Sequence, residues 1–234
     1  LKDAGVQPIS CDDEGYGVMF CVLGLWWANA DGSSRMYSNS IAETKFADDE
    51  VFVGVLTKAN EWYNAGYINQ DYATCAESVS RFMQGECALF GAGTWFMEDV
   101  ASALGAENVG LLPMGAWSEN DPYSYASMGG NGQIMSISQS CEHPAEAVKF
   151  IEFLNSKDQV EKAQQQHLVL PGRADVASPV SGGLYDDVAA ASANSVFYYD
   201  NITEFYRLWP LVVTGVTSVD EAVASLDTLA ASGG

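Results

Sequence analysis

"GECALFGAGTWFMEDV", Gly85 to Val100, is the stretch on which the fold turns. Cys87 to Phe90 is a short apolar run of strand character that stops at Gly91-Ala92-Gly93, and Thr94-Trp95-Phe96 follows at once. Thr94 is placed to cap a helix running through Phe96, Met97 and Val100. A strand that ends in a glycine turn and passes straight into a helix is a unit of an α/β sheet, and such folds place ligands at the carboxyl ends of their strands. Trp95 then stands at the lip of the turn. Its indole is either buried, the commoner fate of a large aromatic, or it offers a flat face on which the C–H side of a sugar ring can stack.

Outward from this turn, helical periodicity with readable ends recurs. With Asp48 or Asp49 as N-cap, Phe52, Val55, Leu56, Ala59 and Tyr63 fall on one face, and Gly66 is placed to end the helix. A second helix follows Pro144, where Ala147, Phe150, Ile151 and Leu154 form the same stripe. Ser156-x-x-Gln159 and Ser218-x-x-Glu221 read as capping boxes that open two more. Strand-like runs at Val109 to Leu112 and Gln133 to Ser138 lie between helices, so the predicted class is α/β. No internal repeat or low-complexity tract interrupts the pattern.

Composition narrows the function. The 234 residues are 48% hydrophobic, enough for a real core, and 10 Lys+Arg against 31 Asp+Glu give a net charge of −21. Such a chain repels polyanions, so neither nucleic acid nor an anionic membrane surface is an expected partner. The longest apolar run, Val18 to Ala28, is well short of the roughly 20 residues that span a bilayer. Cys11, Cys21, Cys75, Cys87 and Cys141 contain no C-x-x-C and have no histidine placed to complete a zinc site; buried free thiols are expected, and no metal or other cofactor.

Catalytic signatures are missing. His143 precedes Pro144 at a helix start, where it reads as a solvent-facing cap, and His167 ends "QQQH" with no acidic or nucleophilic partner beside it. There is no G-x-S-x-G, P-loop or H-E-x-x-H, and "GAGTWF" lacks the third glycine of a dinucleotide fingerprint. The acidic runs Asp12-Asp13-Glu14, Asp48-Asp49-Glu50 and Asp186-Asp187 do not match a calcium loop and read as solvated helix starts. Aromatics beside Gly, Asn and Ser are more informative. In "GLWWANADG", Trp26 and Trp27 point about 100° apart on a helix, so one of the two is expected in the core. Phe205, Tyr206 and Trp209 make a third group.

The order of motifs adds a resemblance. "FMQGECALFGAGTWFMED", "VGLLPMG", "GGNGQIMSISQSCEHPAEAVKFIEFLNSKDQVEKA", "LPGRADV" and "VTSVDEAVASL" together resemble the extracellular solute-binding proteins of ABC importers, the group that includes maltose-binding protein. The resemblance implies a periplasmic-binding-protein-like two-lobed fold of type II that closes on its ligand without chemistry. Its expected partners are a small carbohydrate ligand and the membrane permease subunits of the importer, and the receptor is expected to be a monomer. It is expected to lie outside the cytoplasm, periplasmic or as a cell-surface lipoprotein. It also implies that Trp95 stacks on the sugar with Thr94 beside it, that Trp26 or Trp27 and Asn29 border the cleft, that Gly130 and Asn131 mark a crossing between lobes, and that Phe205 reaches the site.

Members of this family carry a substantial portion ahead of the stretch resembling "LKDAGVQPI". The expectation is therefore a fragment, with residues 1–128 as the main part of the C-terminal lobe, 129–193 as a returning piece of the N-terminal lobe and 194–234 as closing helices. Two other classes remain open from the residues alone. A glycoside hydrolase would need two carboxylates about 5–10 Å apart facing the aromatics. A surface interaction module would need a flat exposed aromatic patch.

Overall fold

The computed structural model describes residues 1–11, 27, 30, 34–91, 93–112, 127–129, 135–167, 172–192, 195–197 and 204–232. Four short strands are present among them: Gln7–Ser10 (β1), Cys87–Phe90 (β2), Ser127–Gly129 (β3) and Ser195–Phe197 (β4). The expected strand at Cys87 to Phe90 pairs in parallel with β1, Gln7 opposite Cys87 and Ile9 opposite Leu89. β3 and β4 form a second parallel pair. The helices are Ser34–Ser40 (α1), Glu50–Asn64 (α2), Ser78–Met83 (α3), Met97–Leu104 (α4), Pro144–Leu154 (α5), Lys157–His167 (α6), Leu184–Ser192 (α7), Glu204–Val213 (α8) and Val219–Ser232 (α9).

Two compact units result: Leu1–Gly93 with Leu112–Gly130 and Ala190–Gly234, and Thr94–Leu111 with Asn131–Ala189. The segment 94–111 gathers with 131–189 in the second unit. Two contacts account for this. A Cβ at Gly183, whose φ is +53°, would lie 2.1 Å from the Ala106 carbonyl oxygen, so only glycine allows that approach. The Leu111 N–H donates to the Asp187 carboxylate at 3.3 Å. For the same reason Val109 to Leu112, expected as a strand, is not one: Leu111 is bonded to a side chain rather than to a neighbouring strand. Residues 135–138 of the expected strand at Gln133 to Ser138 are also non-strand, and residues 133 and 134 lie outside the described residues.

The core of the first unit is built on α2. Val51, Phe52, Val55, Leu56 and Ala59 are buried along one face, and Gly66, at φ +70°, lies just past the helix end as its sequence position predicts. α8 contributes Leu208, Trp209, Val212 and Val213 to the same cluster, and α9 contributes Ala222, Val223, Leu226 and Ala230. Each fully buried side chain of this kind is worth roughly 1.5–3 kcal/mol of transfer free energy. α9 opens with the expected capping box: Ser218 N–H donates to Glu221 Oε2 at 3.0 Å and Glu221 N–H to Ser218 Oγ at 3.2 Å. The box expected at Ser156 does not close in the same way, because the Ser156 N–H donates to the Phe153 carbonyl at 3.1 Å instead.

Asp49 ties these parts together. Its Oδ1 accepts from the Val51 and Phe52 N–H groups at 3.1 Å each, and from Arg35 at 3.1 Å. Oδ2 accepts from the Trp27 indole N–H at 2.7 Å and from Asn39 at 2.9 Å. A side chain read as part of a solvated acidic run is therefore a buried hub joining α1, α2 and Trp27. Trp27 packs on Phe52 and Phe46 with ring centroids 4.4 and 6.0 Å away.

At the carboxyl end of β1, Asn69 takes the place of a strand neighbour. The Cys11 N–H donates to its Oδ1 at 2.8 Å, and its Nδ2 donates to the Cys11 carbonyl at 3.1 Å and to Asp71 at 2.8 Å. Arg81 grips Asp71 through two bonds of 3.0 and 2.6 Å. The expectation of buried free thiols holds for Cys75 and Cys87, and Cys11 is buried; Cys141 is half-buried and Cys21 lies outside the described residues. Burial pushes the Cys87 thiol up, which keeps it protonated and unreactive.

Asp49→Ala removes the acceptor for five donors at once, and is expected to lower the unfolding free energy by about 3 kcal/mol or more, read as a fall in the urea midpoint. The Asp71 carboxyl is lowered to about 2, chiefly by its hydrogen bonds from Arg81 and then Asn69. The folded state therefore holds that proton less readily than the unfolded one, so the contribution is complete above pH ~4 and is lost as pH falls towards 2. Asp71→Asn should flatten the decline of Tm between pH 4 and 2. The effect is small, below about 1 kcal/mol, because the pair is partly solvated.

Candidate functional site

β2 ends at Phe90, Gly91 is buried, and Thr94–Phe96 forms one 3-10 turn before α4 begins at Met97. Thr94 is thus not the N-cap of the α-helix, which is Phe96, but the first residue of the turn that leads into it. The tighter turn delays the helix by two residues. Met97 and Val100 are buried and anchor α4, whereas Thr94 and Trp95 face outward, Trp95 being 60% exposed. The Phe96 ring lies 6.1 Å from the Trp95 ring at a tilt of 53°. The core reading of Trp95 is thereby excluded. A flat indole on a short, anchored turn with a hydroxyl beside it can stack on an apolar ring face and exchange one hydrogen bond with a polar substituent.

Trp27 has the opposite fate. It is 1% exposed, its rings enclose the core and its N–H is engaged by Asp49, so its assignment to the ligand cleft is corrected: it is the core member of the Trp26-Trp27 pair. Trp26, Asn29, Gly130 and Asn131 lie outside the described residues. Phe205 is the second residue of α8, and its side chain is likewise outside them. Of the sequence-derived candidates, Thr94 and Trp95 are the two the structure places at an exposed position.

A depression of about 500 Å³ in the first unit was not anticipated from the sequence. Arg35, Asn39, Glu43, Thr44, Lys45, Asp48 and Asp49 line it. It mixes both charge signs and has no aromatic wall, which makes it a poor seat for a sugar ring. The Asp48-Asp49-Glu50 run could have pointed to it only if Asp49 had been recognised as buried. Among the described residues no cluster of His, Cys, Asp and Glu could hold a metal ion, and no helix is long and apolar enough to cross a membrane.

Comparison with solved structures defines the class. The chain superposes on a chitin oligosaccharide binding protein with a TM-score of 0.76 at 16% identity, covering 99% of this chain and 61% of that one. It superposes on RafE, a solute-binding protein in complex with raffinose, with a TM-score of 0.72 at 15% identity, covering 97% and 61%. A sugar transporter protein from Bacillus licheniformis in complex with stachyose gives 0.72 at 14% identity, again covering 97% and 61%. The fold is the two-lobed α/β fold of solute-binding proteins, and the chain spans about 61% of the length of these structures. The sequence model of the family described as bacterial extracellular solute-binding protein matches residues 21–193, and the chain belongs to that family. No curated protein matches it.

The two tryptophans separate in a stability experiment. Trp27→Ala should cost about 3–5 kcal/mol, as large-to-small changes in a closed core do. Trp95→Ala should cost less than about 1 kcal/mol, as at other exposed positions. Thermal or urea unfolding of the two variants beside the parent chain measures both.

Proposed function

We propose that the chain is part of an extracytoplasmic receptor that captures a carbohydrate and delivers it to the permease subunits of an ABC importer. The observation that carries this reading is the exposed Trp95 indole on its anchored turn, in a chain of the solute-binding family. Solved relatives of the same fold carry raffinose and stachyose, which supports an oligosaccharide over other solutes. The net charge of −21 points the same way, since a strongly acidic receptor suits a neutral ligand better than an anionic one.

In this reading the indole buries the C–H face of one sugar ring, and Thr94 takes one of its hydroxyls. Trp26, Asn29, Gly130, Asn131 and Phe205 are further ligand-binding candidates on the family resemblance. Residues 1–128 and 194–234 belong to the C-terminal lobe and 129–193 to the returning piece of the N-terminal lobe. Binding is reversible and no bond of the ligand is broken. The receptor acts as a monomer outside the cytoplasm, as a periplasmic protein or a lipoprotein.

Isothermal calorimetry with a panel of neutral oligosaccharides tests the reading. Saturable heat with at least one sugar, and no change in that sugar on recovery, is the expected outcome. Trp95→Ala should weaken that binding about 30-fold, equivalent to about 2 kcal/mol, with Tm little changed. Absence of heat with every sugar would overturn the carbohydrate assignment, and release of shorter sugars would favour a glycoside hydrolase.

A further inference from the structure

The polar depression of about 500 Å³ in the first unit has no part in the sugar reading. Four of its seven lining side chains are bonded to one another. Asn39 and Asp49 are buried; Asn39 Nδ2 donates to Asp49 Oδ2 at 2.9 Å, Arg35 to Asp49 Oδ1 at 3.1 Å, and the Thr44 hydroxyl to Asn39 Oδ1 at 2.5 Å. The Asp49 charge is therefore answered inside the protein, and this part of the lining is fixed.

The other three, Glu43, Lys45 and Asp48, are exposed and carry charges that the protein leaves open. Lys45 and Asp48 frame the 3-10 turn Phe46–Asp48, with Lys45 as its extended N-cap residue. Opposite charges three residues apart on a turn of this kind can pair, yet these two make no ion pair and no side-chain hydrogen bond among the described residues. Glu43 accepts a single bond, from Ser38 Oγ at 3.3 Å. The backbone that presents them is held in place. The Glu43 and Thr44 N–H groups both donate to the Ser38 carbonyl, at 2.9 and 3.3 Å, and Ala42 is kept at φ +59°, a conformation alanine adopts only when its surroundings impose it.

One ammonium and two carboxylates thus line a preformed depression of a size that takes a small molecule. We propose that it is a second ligand site, built without Trp95, for a solute carrying one carboxylate and two ammonium groups, the chemistry of a basic α-amino acid. The ligand carboxylate pairs with Lys45 and its ammonium groups with Asp48 and Glu43. A neutral amino acid would leave one carboxylate unanswered, and an acidic one would add repulsion. The net charge of −21 draws a net-cationic solute towards the protein. The site does not depend on which sugar the receptor takes.

Titration of the isotope-labelled protein with L-lysine, read by amide chemical shifts and by Tm, tests the proposal. Saturable shifts centred on residues 35–49 are expected, with a Kd of about 1 mM, as suits exposed charge pairs. Tm should rise as the ligand saturates. L-Norleucine, which lacks the second ammonium, and cadaverine, which lacks the carboxylate, should each bind at least about fivefold more weakly. Lys45→Gln and Asp48→Asn should each weaken L-lysine by about the same factor without lowering the Tm of the free protein, since both side chains are exposed. Trp95→Ala should bind L-lysine as the parent does. Absence of saturable shifts would overturn the proposal. So would cadaverine binding as well as L-lysine, which would mark attraction to the acidic surface alone, and so would L-lysine affinity unchanged in both charge variants or lost in Trp95→Ala. Failure of every sugar to bind, with the L-lysine response intact, would count against the carbohydrate reading and leave this one standing.

Discussion

The first unit depends on a single carboxylate. Asp49 is almost without solvent contact, and the transfer of such a group from water is tolerable only when several donors surround it. Here two donors are the first free N–H groups of α2, one is the Trp27 indole, and two come from the α1 side chains Arg35 and Asn39. The same five bonds that satisfy the charge therefore set where α2 starts, how α1 lies beside it, and which way Trp27 faces. The rest of the core then closes over α2 through α8 and α9, and Asp227 on α9 returns to accept from the Phe46 N–H.

That constraint also separates the tryptophans by role. Trp27 is held inward because its polar atom has a buried acceptor and its rings have Phe46 and Phe52 to pack on. Trp95 is turned outward because the residues that anchor its helix are Met97 and Val100, on the other side of the turn. Under the proposed function that exposed indole is where a neutral sugar ring stacks, a ligand that suits both the indole and the acidic charge.

Much of the fold was legible wherever the signal is local. The α2 stripe, its aspartate cap, the Pro144 start, the Ser218–Glu221 box and the strand before the glycine turn all follow from spacing over a few residues. β1 was not legible, because four residues with a proline among them carry no periodic pattern and are made a strand by β2 and, at Ile9, by Ile68 alongside. Val109 to Leu112 misled for the complementary reason: its composition suits a strand, but Asp187 takes its N–H in place of a neighbouring strand. For the site, Trp95 could be singled out from its turn, while Trp26 and Trp27 could not be told apart, since adjacency states that they diverge and not which one faces the core.

By itself the sequence determined the α/β class, the starts of several helices, the resemblance to solute-binding proteins and the acidic character that disfavours anionic partners, because each rests on short-range pattern or on composition. Only the tertiary structure decided that Asp49 is a hub and not a solvated cap, that Trp27 is core and Trp95 exposed, and that 94–111 belongs with 131–189. Burial and pairing are properties of residues far apart in the chain. No local spacing encodes whether an acceptor waits for an indole, or whether a glycine must yield to a carbonyl nearly eighty residues away.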